Sequence, residues 1–136
     1  MRVLNVIRAI LLLSPLVCNS VFAIEQPIVV SFADQPINTF NQQLKQAQLQ
    51  HRGWSKQPET ISAHYAGANF RVAKVKQYQG KVLTYNVSAA DAEHPKMLLI
   101  LSLQKQQNNW KLDGARLAWK CKNGQHFSTD RCSISH

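Results

Sequence analysis

The stretch Met97-Leu98-Leu99-Ile100-Leu101-Ser102-Leu103 decides how the rest of the chain is arranged. It is apolar on both parities, so it reads as a central strand covered on both sides. The helix available to cover it is predicted over 36–51, where Ile37, Phe40, Leu44 and Ala47 recur at helical spacing while Asn38, Gln42, Gln43, Lys45 and Gln46 face away. Asp34 or Gln35 is placed to cap this helix, Pro36 stands in its first turn and Gly53 is a left-handed terminator.

Outward from these two elements the chain reads as short strands. Residues 27–32 are β-branched and apolar, and residues 54–59 form a loop. Strands are predicted at 61–65, 69–77 and 81–88, with Gln79-Gly80 as the turn between the last two. Leu83, Tyr85 and Val87 alternate with Thr84, Asn86 and Ser88, which predicts a strand buried on its Leu83 face. The parity of Phe70 and Val72 differs from that of Ala73 and Val75, so a bulge is expected near Ala73. A polar loop follows at 89–96, and 110–122 returns beside the central strand with a bulge or kink at Asp113-Gly114. Asn123-Gly124 offers a tight turn, after which 125–132 folds back. The predicted fold is α+β: one N-terminal amphipathic helix packed on an antiparallel sheet of four to five strands, closed by a C-terminal disulfide loop. Its core is expected to join Ile37, Phe40 and Leu44 to Leu83, Tyr85, Leu99, Leu101, Leu117 and Trp119.

Arg2 and Arg8 precede or interrupt an apolar run at 7–17, and Val21-Phe22-Ala23 supplies a cleavage site, so residues 1–23 read as a cleavable secretory signal. The run is shorter than a membrane span requires, and no stable span is expected after cleavage. Cys18 raises a lipoprotein alternative, although Val17 stands where such signals place a small residue. Residues 24–136 are then a single domain, periplasmic or secreted. Cleavage removes two of the cations behind the formal charge of +9 and no carboxylate, leaving the mature chain basic. The cations scatter as on a solvated strand face; a sharper reading is weak attraction for nucleic acid or another anionic surface. Cys121 and Cys132 remain, an even pair in an oxidising compartment, and are predicted to form one disulfide. Free thiols or a metal pair are the alternatives, but no His or Cys lies at zinc spacing around them.

The segment Leu117-Ala118-Trp119-Lys120-Cys121-Lys122-Asn123-Gly124-Gln125-His126-Phe127-Ser128-Thr129-Asp130-Arg131-Cys132 resembles the end of a type IV pilin or pseudopilin, with Trp-x-Cys on the last strand and a loop returning to a second cysteine. The pilin leader, the long apolar N-terminal helix and the proline usual before the last cysteine are absent. The resemblance therefore implies a pilin-like globular domain without the part that polymerises, an accessory, regulatory or adhesive relative with pilus or secretion components as partners. A second segment, 30–44, is similar to the strand-to-helix opening of the small periplasmic domain at the head of secretins and TonB-dependent receptors, whose second helix is not predicted in residues 60–100.

No pairing of carboxylates, Ser/His/Asp set or Cys-His pair emerges from the spacing of His51, His64, His94, His126 and His136, so a non-catalytic binding protein without metal or cofactor is expected. Asp91, Glu93 and His94 in one loop offer at most a weak metal site, and a small basic nuclease is the enzymatic alternative. A periplasmic inhibitor or stress-type binding domain competes with the pilus-related reading, though a basic chain is disfavoured as an inhibitor of basic lysozymes. The predicted binding surface is the stapled loop, presenting Lys122, His126, an exposed Phe127 and Arg131; the competing reading has Phe127 tucked onto Trp119 as part of a structural cap.

Overall fold

Strand β4, Lys96–Gln106, holds the middle of the sheet, and the remaining strands are β1 (Ala33–Asp34), β2 (Phe70–Tyr78), β3 (Lys81–Ser88) and β5 (Asn109–Lys120). In the computed structural model, which describes residues 27–133, they form one antiparallel sheet in the order β1-β5-β4-β3-β2. Leu99, Leu101 and Leu103 point to one face of β4, where Leu112 and Ala115 of β5 join them in the main core. Leu98 and Ile100 point to the other, so the doubly apolar run serves two separate clusters.

The plan of one N-terminal helix packed on the sheet is overturned. The helical layer consists of two short helices, α1 (Asn38–Leu49) and α2 (Pro58–Ala66), joined through a 3-10 turn at Gly53–Ser55. Residues 61–65, expected as a strand, lie inside α2. Pro58 occupies the first turn, Glu59 adds a carboxylate there, and Gly67 ends the helix at φ 86° and ψ 176°. The alternation of Ile61, Ala63 and Tyr65 imitated a strand. In the helix Ile61 turns into the core, fully buried beside Leu44 of α1.

The ends of α1 also differ from expectation. Asp34 and Gln35 do not cap it; Asp34 belongs to β1, opposite Arg116, and the N-cap is Ile37 without a side-chain bond. At the other end His51, at φ 53°, is the left-handed residue instead of Gly53. The Arg52 N–H bonds the Ala47 carbonyl and the His51 N–H bonds that of Gln48, the two bonds of a Schellman terminus. Asn41 fixes α1 to β5 from both ends of its amide, donating to the Leu112 carbonyl at 2.8 Å and accepting from the Leu112 N–H at 2.9 Å.

Both expected irregularities in the strands are present. The β2–β3 register shifts between Val72 and Lys74, and the β4–β5 register shifts between Ser102 and Leu103, leaving Asp113 without an opposite partner. The phase of β3, however, is the reverse of the predicted one. Val82, Thr84, Asn86 and Ser88 are buried under the helices, while Leu83, Tyr85 and Val87 are half-buried on the opposite face. Most polar atoms inside are paired: the Ser62 and Thr84 hydroxyls share a hydrogen bond of 2.6 Å, and the Asn86 amide N–H groups donate to Thr84 and to the Leu99 carbonyl, while the buried Asn86 Oδ1 has no partner among the described residues. Leu83 and Tyr85 are therefore removed from the main core. Trp119 is half-buried outside it, and Ile37, Phe40 and Leu117 are packed partly buried against it.

The C-terminal loop closes as expected through a Cys121–Cys132 disulfide. It is also held by other means. Trp119 and Ser128 exchange backbone hydrogen bonds, the Trp119 indole N–H donates to the Asp130 carbonyl, and Phe127 pairs in parallel with Val29. Ser31 and Thr129 share a hydroxyl hydrogen bond and the Thr129 N–H donates to Ser31, across 98 residues of sequence. The predicted signal at 1–23, with Cys18, lies outside the described residues. Among the described residues no helix is long and apolar enough to cross a membrane.

Candidate functional site

The disulfide and the turn after β5 do not bring the four residues expected to form a binding surface together. Lys122 and Arg131 are exposed and line a cleft of about 630 Å³, facing Asp91, Glu93 and His94 of the loop before β4. His126 is exposed outside the lining of that cleft. Phe127 is only 6% exposed, packed with Leu98 and Ala118 under Val29, Tyr85, Val87 and Ile100. The exposed aromatic anchor of the loop is thus absent. Its ring belongs to the second cluster, not to a contact with Trp119, and Lys120 stands over it at 5.6 Å.

The acidic side of the cleft is committed to its own turn. Asp91 accepts hydrogen bonds from the Glu93 and His94 N–H groups at 2.8 and 2.6 Å and contacts the His94 ring at 3.0 Å. The backbone bond from Glu93, followed by that from His94, holds the Asp91 carboxyl below the usual carboxylate range. Among the described residues no group of three His, Cys, Asp or Glu is placed to share a metal ion.

A larger constellation lies on the sheet face away from the helices. Strand register sets its side chains in rows across the sheet. One row carries Lys74, Tyr85, Ile100 and Arg116; the next on one side carries Arg71, Val87, Leu98 and Ala118, and on the other Lys76, Leu83, Ser102 and Gly114. Cations on edge strand β2 therefore stand on one side of an apolar band, of which Leu98 and Ala118 are covered by Phe127 and Val29 while Leu83, Tyr85, Val87 and Ile100 stay half-buried. Arg116 and Lys120 of β5 stand on the other. Neighbouring strands are about 4.8 Å apart, so the two cationic borders are separated by roughly 14 Å. Beyond Arg116 the Phe32 ring is 44% exposed, with the guanidinium 5.1 Å from its centre.

Carboxylates meet this face at its margins: Asp34 pairs with Arg116 at 3.5 Å and Asp113 pairs with Lys81. Among the described residues no ion pair occupies Arg71, Lys74, Lys76 or Lys120. Sequence reasoning missed this surface because it assigned Leu83, Tyr85 and Val87 to the helix side. A usable signal was present in β2, where Arg71 lies on one side of the bulge and Lys74 and Lys76 on the other. Once the bulge restores the phase, all three share a face. Compared with protein-family models, curated proteins and solved structures, the chain matches none of them.

Proposed function

We propose that this chain is an exported, non-catalytic binding protein that docks an anionic partner on the sheet face opposite its helices. The observation that carries the reading is the pair of cationic borders, Arg71, Lys74 and Lys76 on β2 and Arg116 and Lys120 on β5, around the band of Leu83, Tyr85 and Ile100. Arg116 is paired with Asp34, but the other four cations have no ion-pair partner among the described residues; such cations raise the concentration of anions at the face, and the apolar floor adds a short-range term once contact is made. Retention of the mature chain on a sulfated polysaccharide, read as a function of salt, tests this. Lys74→Glu combined with Lys76→Glu is expected to weaken binding about tenfold and to make the salt dependence shallower. Equal retention of the parent and the double variant would remove the face from consideration.

A pilus- or secretion-related accessory role is the second reading, favoured by the disulfide-closed loop that follows Trp119-Lys120-Cys121. It uses a different surface, the cleft with Lys122 and Arg131. Co-purification with envelope components that is lost on Lys122→Glu with Arg131→Glu, and kept on Lys74→Glu with Lys76→Glu, would select it.

A further inference from the structure

We infer that the anionic partner is a single-stranded nucleic acid, lying across the sheet with its phosphates on the cationic borders and its bases on Tyr85 and Phe32. The inference rests on the proposed sheet-face reading and specifies its ligand. Its basis is the placement of rings beside cations on one face: the row Lys74, Tyr85, Ile100, Arg116 sets a ring between two cations and ends on Asp34 of β1, and the exposed Phe32 ring, two residues before Asp34, lies against the Arg116 guanidinium. The backbone of a single strand can follow cations while its unstacked bases lie on rings beside them, and aromatic platforms beside cations bind such strands with little dependence on sequence. Arg116 already lies over the Phe32 ring, so a base arriving there meets both a ring and a guanidinium plane.

Three competing anions fit less well. A duplex keeps its base faces stacked inside, so Tyr85 and Phe32 would have only its backbone to meet. A sulfated polysaccharide satisfies the cations but has no π-face for the rings. An anionic bilayer favours a surface whose apolar groups project beyond its cations; here Tyr85 and Leu83 are half-buried while Arg71 and Lys76 are exposed. Asp34, paired with Arg116, opposes an anion at that end and is expected to limit the affinity.

The test is fluorescence anisotropy of a labelled oligothymidylate with the mature chain at low salt, competed by unlabelled duplex, sulfated polysaccharide and anionic phosphatidylserine vesicles. Oligothymidylate is expected to bind more tightly than each competitor. Phe32→Ala combined with Tyr85→Leu should weaken it about tenfold while leaving polysaccharide binding within about twofold. Leucine at 85 preserves packing against the Leu98 cluster, and Phe32→Ala alone, at an exposed position, serves as the control that does not touch the fold; circular dichroism of both is compared with the parent. Polysaccharide, duplex or vesicles binding as tightly as the oligonucleotide would overturn the inference and leave the proposed anionic docking face standing. So would ring replacements without effect on oligonucleotide binding. Failure of every polyanion to bind would overturn both.

Discussion

Gly67 occupies a backbone conformation, φ 86° and ψ 176°, that is almost exclusive to glycine, and it does so at the one-residue hinge between α2 and the approach to β2. A Cβ there would meet open space, so any cost of Gly67→Ala is conformational and not steric. The expected destabilisation is about 1–3 kcal/mol, read from urea unfolding. A change near zero would mean that the hinge relaxes into an ordinary conformation. Asp91 is the residue whose titration is most clearly tied to its surroundings. Its backbone bonds depress the folded-state value, so the turn's contribution is fully present above the usual carboxylate range and is lost as pH falls through the lowered folded value. Amide shifts of Glu93 and His94 should therefore stay constant down through the range where a free aspartate titrates and move only below it. A midpoint at or above the usual range would contradict the turn.

At the scale of elements, β4, β5 and the two bulges were legible because each rests on a local pattern: an unbroken apolar run, a parity switch at Ala73 and an Asp-Gly pair inside a strand. Helix α2 was not, because the five residues 61–65, alternating in polarity, satisfy a strand template as well as a helical one, and Pro58 suits a loop as well as the first turn of a helix. The phase of β3 was illegible for a different reason. Alternation states that two faces differ but not which face is inside, and polarity is a poor guide when hydroxyls and an amide can pair internally. Thr84→Val tests the phase directly. Under the helices it removes the partner of Ser62 and one acceptor of Asn86, for an expected loss of about 1–3 kcal/mol. On a solvated face the same change would be close to neutral. The proposed docking face was illegible for the same reason, since it depends on Tyr85 being turned away from the helices. For the stapled loop, chain entropy assigns the disulfide about 3 kcal/mol. Because Trp119, Ser31 and Phe127 also hold the loop, paired Cys121→Ser and Cys132→Ser substitutions should cost no more than that and leave the Thr129 amide protected from exchange. Loss of that protection together with the bridge would show the loop to depend on the disulfide alone.

Taken as a whole, the molecule is a sheet with two unequal sides. The helix side holds the larger cluster, from Leu44 and Ile61 to Leu112, and the other side holds the smaller one around Leu98, Ala118 and Phe127, leaving Leu83 and Tyr85 half-covered. Among the described residues no strand pairs with the outer side of edge strand β2, and its bulge and the alternating Lys74 and Lys76 discourage another strand from adding to it. Those lysines thus stay available for ligand instead of being enclosed in a strand-exchanged dimer. The same side chains that make the face basic also keep it accessible.

The pairing of the beginning of the fold with its end has a bearing on biosynthesis. Ala33 meets Leu117, Val29 meets Phe127 and Ser31 meets Thr129, so these early residues lack their partners until residues 117–129 have been made. Helices and the β2–β3 hairpin can form on the way, but the β5 border of the sheet stays open throughout elongation. A stalled nascent chain ending at residue 118 should accordingly remain sensitive to protease between residues 27 and 35, whereas one extended past Thr129 and clear of the exit tunnel should be resistant. Closure of the β1 edge is thus a late step, and any machinery that handles a chain stopped short of residue 129 receives it with residues 29–34 not fully paired.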